Sequence, residues 1–323
     1  GIDLKGFSSS VFLKEGEIKL DRFDLNIGRS NLSADIVALD FNSWEDFNSF
    51  EENVKFNVKL DSSIVSLEDI AFFVSDLKGM NDVVGLQGIF TDALSQLKIK
   101  DFVLGFGQES FVRGDFQLPD FSDSVTQEFT QFFSDVYINL EDLKAINMPD
   151  SIDPISLDPS IEMNKYLAVS NLTITGSDQD FDFTFDEFKS DLGVLNLPGS
   201  MNFLMDSSSI KIAPSNDYTT NLFIKDFHLG RFLSEDLLGN ISGSIQPIVE
   251  ISNKGDVSFK LNRSNISNVD FNDYNISQID ILEGSFKNNL LKAGIKINDE
   301  NLILDMSCDI ILGSRQQITG ELN

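Results

Sequence analysis

The sequence predicts a mainly β protein built around a long curved antiparallel sheet with a few short helices. Three observations lead to this fold class: apolar and polar residues alternate over many segments, some of these segments are long, and one motif recurs along the chain. Side chains alternate between the two faces of a strand, so each such segment has one apolar and one polar side. This pattern is typical of antiparallel sheets with one face in water.

Three segments show the alternation most clearly, with Lys, Asn, Ser, Thr and Asp at most of the intervening positions. The last of them spans 11 residues, about twice the usual strand length. Long strands side by side favour a broad curved sheet over a small barrel. The apolar positions of these segments are the candidate lining of an apolar surface: Val54, Phe56, Val58 and Leu60; Phe181, Phe183 and Phe185; and Leu302, Leu304, Met306, Ile310 and Leu312.

A loose internal repeat indicates an array of similar units. Residues 18–28 match residues 97–107 position for position, and weaker echoes begin at Leu167 and Leu222. The anchor residues of the four copies lie 79, 70 and 55 residues apart. Because no fixed period emerges, the pattern excludes a regular propeller or leucine-rich solenoid and predicts hairpin units with insertions. The anchors are Phe23, Phe102, Leu172 and Phe227.

Helices are expected to be a minority. The segment from Ser66 to Asp69 resembles a capping box and begins a predicted helix over residues 66–79, and a second short helix is predicted over residues 140–146. Three prolines between residues 149 and 159 predict a boundary loop. We therefore expect a first β-groove segment over residues 1–149 and a second, continuous with it, over residues 150–323. Both termini stop within strand-like alternation, so we expect a fragment of a longer protein.

The net charge of the chain limits the classes of partner that it is expected to bind. A formal net charge of −28 argues against nucleic acid and anionic lipid surfaces as partners, because both are bound through Lys and Arg. Acidic residues on outward faces keep the protein soluble and discourage sheet edges from pairing. No run of 18 apolar residues occurs, so no membrane-spanning helix is predicted.

The sequence offers little catalytic chemistry. His228 and Cys308 are the only histidine and cysteine, which excludes an internal disulfide, a zinc ribbon and a His/Cys metal site. Cys308 lies on an alternating strand and is expected to be a small core residue. The acids from Asp178 to Asp182 superficially resemble a calcium loop, but Phe183 and Lys189 stand where Gly and Glu are needed. We therefore expect no enzyme activity, no cofactor and no metal site.

A family resemblance extends over most of the chain in order. The resemblance lies in the pattern of apolar, polar and glycine residues in ten segments. They are residues 66–77, 85–88, 97–107, 114–119, 137–143, 227–230, 238–243, 273–277, 284–286 and 299–302. Together these segments resemble the AsmA-like superfamily, in particular its TamB family in the form found in Bacteroidetes-type bacteria. The resemblance implies a long antiparallel sheet folded into an open U-shaped groove, the β-taco, like that of bridge-like lipid-transfer proteins.

The resemblance also implies a location and partners. Family members reach from the inner membrane across the periplasm to an outer-membrane barrel of the Omp85 type, similar to TamA. Phospholipid transport and outer-membrane protein assembly are both attributed to the family. The expected partners are thus phospholipid acyl chains and, through regions outside this chain, such a barrel. The expected location is the periplasm, with an inner-membrane anchor outside this chain.

Two functions therefore follow as hypotheses. In the first, the apolar faces line a groove for phospholipid transfer between the two membranes. In the second, the chain is a scaffold or chaperone whose sheet edges pair with β-strands of outer-membrane client proteins. The same strand texture also suits the core of a closed β-sandwich, as in a surface adhesin domain, which would have no groove.

Overall fold

The structure is a computed structural model that describes most residues of the chain. The described residues are 3–72, 77–117, 129–150, 155, 157, 164–177, 179–206, 209–215, 220–233, 236–252, 256–262, 264–272, 274–287, 290–300, 302–311 and 317–322, with side chains described up to Asp309. Among these residues 21 strands form a long antiparallel sheet with a few short helices. The predicted mainly β, antiparallel fold class is confirmed.

The chain divides into two compact units, Gly1–Ala168 and Val169–Asn323. The division predicted at residue 150 stays a prediction. In the first unit, successive strands from β1 to β8 pair antiparallel, each with the next. The strands are β1 Leu4–Lys14, β2 Glu17–Ile27, β3 Ser30–Asp40, β4 Lys55–Ser66, β5 Val83–Ala93, β6 Lys98–Phe106, β7 Ser110–Gln117 and β8 Phe129–Asn139, and β9 Tyr166–Gly176 crosses the division.

The second unit has a branched sheet. Its strands are β10 Asp180–Ser190, β11 Gly193–Met205, β12 Ser209–Pro214, β13 Leu222–His228, β14 Asn240–Ile245, β15 Pro247–Ser252, β16 Val257–Leu261, β17 Ser264–Phe271, β18 Tyr274–Lys287, β19 Leu290–Asn298, β20 Ile303–Ile311 and β21 Gln317–Leu322. One end of β11 pairs with β13 and the other with β12. One branch continues from β13 through β14 and β17 to β18. The other continues from β12 through β15 and β16 to β18.

The described helices are short: α1 Phe50–Asn53, α2 Leu67–Ala71, α3 Leu140–Ala145 and α4 Leu229–Leu233, with 3-10 turns at Trp44–Ser49 and Leu94–Gln96. The helix predicted over residues 140–146 is confirmed as α3, where the Asn139 side chain accepts a hydrogen bond from the Glu141 N–H. The helix predicted over residues 66–79 is present at its start, and residues 73–76 lie outside the described part. The predicted capping box is wrong, because Ser66 makes no side-chain cap and Asp69 bonds to a distant turn.

The internal repeat has a backbone signature. The residue before each of the four anchors has a left-handed φ of 50–54° and an exposed side chain, whereas each anchor is half-buried. In β2, β6 and β13 the pairing register shifts at this point, so an extra residue forms a bulge. The left-handed residues are Arg22, Asp101, Asn171 and Asp226.

Candidate functional site

One continuous row of apolar side chains crosses six strands of the first unit. Partners directly opposite each other in an antiparallel pair lie on the same face, so the strand register defines the row. We call it the first apolar row: Leu20, Val37, Val58, Phe90, Ile99 and Phe116. The adjacent row on the other face is Lys19, Ala38, Asn57, Thr91, Lys98 and Gln117. The two faces of this sheet therefore differ sharply in polarity.

The second unit has an equivalent row across seven strands. We call it the second apolar row: Phe181, Phe203, Ile212, Val249, Phe259, Phe286 and Leu291. The rings of Phe181 and Phe203 stack with centroids 4.6 Å apart, and those of Phe259 and Phe286 are 5.7 Å apart. The adjacent row on the other face starts with Asp180 and continues through Leu204, Lys211, Glu250 and Ser258.

The apolar rows are incompletely covered. Of their described members only Ile99 is buried, at 8% exposure, and the others are half-buried. Side chains of a sandwich core are normally fully buried between two layers. The apolar faces of the described strands thus retain accessible apolar surface.

In β4 the exposure of the predicted lining residues alternates with that of their neighbours, and Val54 differs from the rest. Phe56, Val58 and Leu60 are half-buried, while the lysines and Asn57 between them are exposed. Val54 precedes β4 and is completely buried. It lies at the end of the apolar face, where an aromatic cluster follows: Phe41, Trp44, Phe47, Phe50 and Phe56 make successive ring contacts with centroids 4.9–5.9 Å apart.

The other predicted lining residues lie in the second unit. Phe181, Phe183 and Phe185 are half-buried along β10, opposite Phe203, Met201 and Leu197. In β20, Leu304 and Met306 are half-buried, and Leu304 packs on the buried cluster of Ile241, Val269, Ile276 and Ile297. Leu302 precedes β20 and is exposed. The side chain of Ile310 and all of Leu312 lie outside the described part. Cys308 is buried, which confirms the predicted core position.

Two aspartates hold turns of the first unit in place by accepting hydrogen bonds from them, and we call them the fastening aspartates. Asp69 in α2 accepts hydrogen bonds from the backbone N–H groups of Arg29 and Ser30 and from the Ser30 hydroxyl, at 2.7–2.9 Å. Asp142 in α3 accepts four, from the N–H groups of Gln108, Glu109 and Ser110 and from the Ser110 hydroxyl, at 2.9–3.0 Å. Ser30 and Ser110 begin corresponding strands of the repeat.

These bonds stabilise the charged form of both aspartates. Desolvation raises the pKa of Asp69 and of Asp142, but the hydrogen bonds to each carboxylate together outweigh it. The pKa of each carboxyl is therefore below its ordinary value, and both are charged at neutral pH. Sequence reasoning missed this arrangement. The available signal was the recurrence of Leu-Glu-Asp at residues 67–69 and 140–142.

The described residues hold no group of three His, Cys, Asp or Glu side chains that could bind a metal ion, and none of their helices is long and apolar enough to cross a membrane. Sequence reasoning also missed most members of both apolar rows, although Leu20, Val37 and Phe90 lie in strands whose apolar residues partly alternate. Comparisons with protein-family models, curated proteins and solved structures found no match.

Proposed function

We propose that the apolar faces of this chain bind phospholipid acyl chains and form part of a periplasmic conduit between the inner and outer membranes. The observation that carries the proposal is the half-buried state of the two apolar rows, each of which crosses at least six strands without a charged side chain. The AsmA-like and TamB resemblance supports it, and the periplasmic location and an Omp85-type partner rest on that resemblance alone.

The physical need for such a surface is large. Exposing the two acyl chains of a phospholipid to water costs roughly 0.8 kcal/mol per methylene, or about 25 kcal/mol for some thirty methylenes. A continuous apolar strip removes most of this barrier and requires no precisely placed polar group. Because successive members of a row lie on neighbouring strands about 4.8 Å apart, a row of six covers a length comparable to an acyl chain.

Photo-crosslinking tests this proposal. Photoreactive residues at Val58 and Phe183, on the apolar faces, are expected to capture co-purified phospholipid, whereas the matched positions Asn57 and Asp182, one residue away on the other face, are not. Lipid adducts are read by mass spectrometry of the intact chain. Equal labelling of the two faces, or no lipid adduct at any position, would overturn the proposal.

Trp44 gives an independent readout, because it is the only tryptophan. Its ring stacks on Phe47, and ring contacts lead from there through Phe50 to Phe56 on the apolar face. A phospholipid brominated on its acyl chains is expected to quench Trp44 fluorescence more than the same lipid without bromine. Val58→Asp should reduce this quenching, and Asn57→Asp should leave it unchanged.

A second candidate function is strand pairing at the edge formed by β1. Among the described strands β1 pairs only with β2, and five of its large apolar residues are more than half exposed: Leu4, Phe7, Val11, Phe12 and Leu13. An exposed apolar edge is a template for another strand. The alternative of a scaffold that pairs with client β-strands would use an edge of this kind.

The edge function has its own test. Phe7→Lys combined with Val11→Lys places charges on the edge strand and should abolish binding of an immobilised outer-membrane strand peptide. The matched control, Phe223→Lys, changes an exposed phenylalanine of β13, a strand paired on both sides. Equal binding by the edge variant and the control would overturn this alternative.

A further inference from the structure

An open depression of about 890 Å³ lies beside the β2–β3 turn, in the first unit. Its wall combines acidic, basic and apolar side chains. The basic ones are Lys5, Arg29 and Lys78, the acidic ones are Asp3, Glu68 and Asp69, and Phe72 and Met80 are among the apolar ones. Its size is within the range of small-molecule sites, and its mixed lining matches a ligand with both charged and apolar parts.

The charge balance of this depression is unusual for the chain. The whole sequence has 24 basic and 52 acidic residues, whereas the described lining of the depression has three of each. The field of a chain with a net charge of −28 repels free anions. A zwitterionic ligand has no net charge and is not repelled, so it fits this site better than a simple phosphate ion.

The internal repeat shows that the fold does not require the cation at residue 29. In the ungapped alignment of the repeat Arg29 matches Gln108, and the second turn has one more residue before its strand begins at Ser110. Arg29 and Gln108 both donate their backbone N–H to the aspartate that holds their turn, at 2.8–2.9 Å. A smaller depression of about 270 Å³ lies beside the second turn, and its described lining has Glu109 but no Lys or Arg. The hydrogen bond from Arg29 to Asp69 thus comes from the backbone, and the guanidinium adds only a charge that lowers the pKa of Asp69.

The charged side chains are placed to act on a ligand. Arg29 donates one hydrogen bond to the Asn81 carbonyl at 3.1 Å, and its guanidinium lies 3.6 Å from the Glu68 carboxylate in an exposed pair. An arginine has five N–H donors and binds phosphate oxygens in pairs. Lys78 is 81% exposed, and its ammonium nitrogen lies 3.9 Å from a carboxylate oxygen of Asp150. Asp69 is committed to the turn, which leaves Asp3 and Glu68 to face a ligand amine.

We propose that this depression binds a zwitterionic phosphate–amine group, with the phosphate on Arg29 and Lys78 and the amine on Glu68 and Asp3. The identification of the ligand as a phospholipid headgroup rests on the proposed function. Phe72 and Met80 then contact the carbons next to the headgroup. A site of this kind selects zwitterionic over anionic phospholipids, because the field of the chain repels a net negative charge.

The test uses the full chain and calorimetric titration with three probes: dihexanoylphosphatidylethanolamine, glycerophosphoethanolamine and inorganic phosphate. Arg29→Gln introduces the residue of the second copy, so the fold should tolerate it. We expect it to weaken binding of the first two probes by about tenfold or more, and Lys78→Gln to weaken it less. Arg113→Gln is the matched control, because Arg113 is also exposed and lies 3.6 Å from a carboxylate.

The outcomes separate this proposal from the previous one. Unchanged binding in Arg29→Gln and Lys78→Gln, with lipid still crosslinked at Val58 and Phe183, overturns the headgroup site and keeps the apolar conduit. If no lipid is crosslinked at Val58 or Phe183 but glycerophosphoethanolamine binds and Arg29→Gln weakens this binding, the proposed conduit is wrong and the headgroup site stands. If inorganic phosphate binds as tightly as glycerophosphoethanolamine, the ligand is free phosphate and the proposal of a zwitterionic ligand is wrong.

Discussion

Gly107 and Asp142 approach so closely that a Cβ atom on the glycine would lie 2.2 Å from the Cγ atom of the aspartate. Gly107 also has a φ of +62°, a conformation that glycine adopts without strain. The same relation recurs between Gly28 and Asp69, at 2.5 Å from the Cγ atom. The fastening of each turn therefore depends on a glycine that leaves room for the carboxylate.

Gly107→Ala should destabilise the chain strongly, because the added methyl group both collides with Asp142 and strains the left-handed backbone. We expect a loss of more than about 2 kcal/mol in the free energy of unfolding, measured by urea denaturation. Gly105→Ala is the matched control in the preceding strand, since its Cβ would meet nothing closer than 3.9 Å. Equal losses in the two variants would contradict this reading of the turn.

Asp142→Asn should loosen the second turn, because a neutral amide offers one acceptor oxygen to four donors that now bind a carboxylate. The expected loss is about 1–3 kcal/mol in the free energy of unfolding. Glu51→Gln, at an exposed acid in the first turn of α1, should change stability by less than about 0.5 kcal/mol. Hydrogen exchange at the Ser110 amide should rise only in the Asp142 variant.

The two aspartates should make the fold sensitive to acid. Their folded-state pKa values lie below the ordinary value, so their stabilisation is complete above the unfolded pKa of about 3.9. It is lost as the pH falls through the folded pKa values. Unfolding free energy should therefore fall more steeply below about pH 4 in the wild type than in the Asp69→Asn/Asp142→Asn double variant. Parallel pH curves would contradict the assignment.

Cys308 should react slowly with thiol reagents, because the residue is only 5% exposed within β20. The rate of its modification by a bulky disulfide reagent should rise by at least about a hundredfold in denaturant, as the sheet opens. Ser307→Cys in a Cys308→Ser background places a thiol one residue away on the exposed face and serves as the control. Fast modification of Cys308 in the native chain would show that this part of the sheet is open.

The sequence by itself determined the features that depend on neighbouring residues. Period-two alternation assigned the strands around Phe56, Phe183 and Leu304 and their apolar faces, because a strand's two faces follow directly from the order of its side chains. The repeat located the four anchors in the same way, and three of them lie at bulges. The short helix at Leu140 was also evident from local spacing and from the proline that follows.

Only the tertiary structure decided which residues meet across the sheet and how far they are covered. The bonds of Asp142 to Ser110 and of Asp69 to Ser30 span 32 and 39 residues of sequence, so no local pattern specifies them. The same holds for the six-strand apolar row, for the completely buried Val54, and for the cations gathered around the first turn. Alternation states which side of a strand is apolar, but the degree of burial depends on what packs against that side, and this is a property of the folded chain.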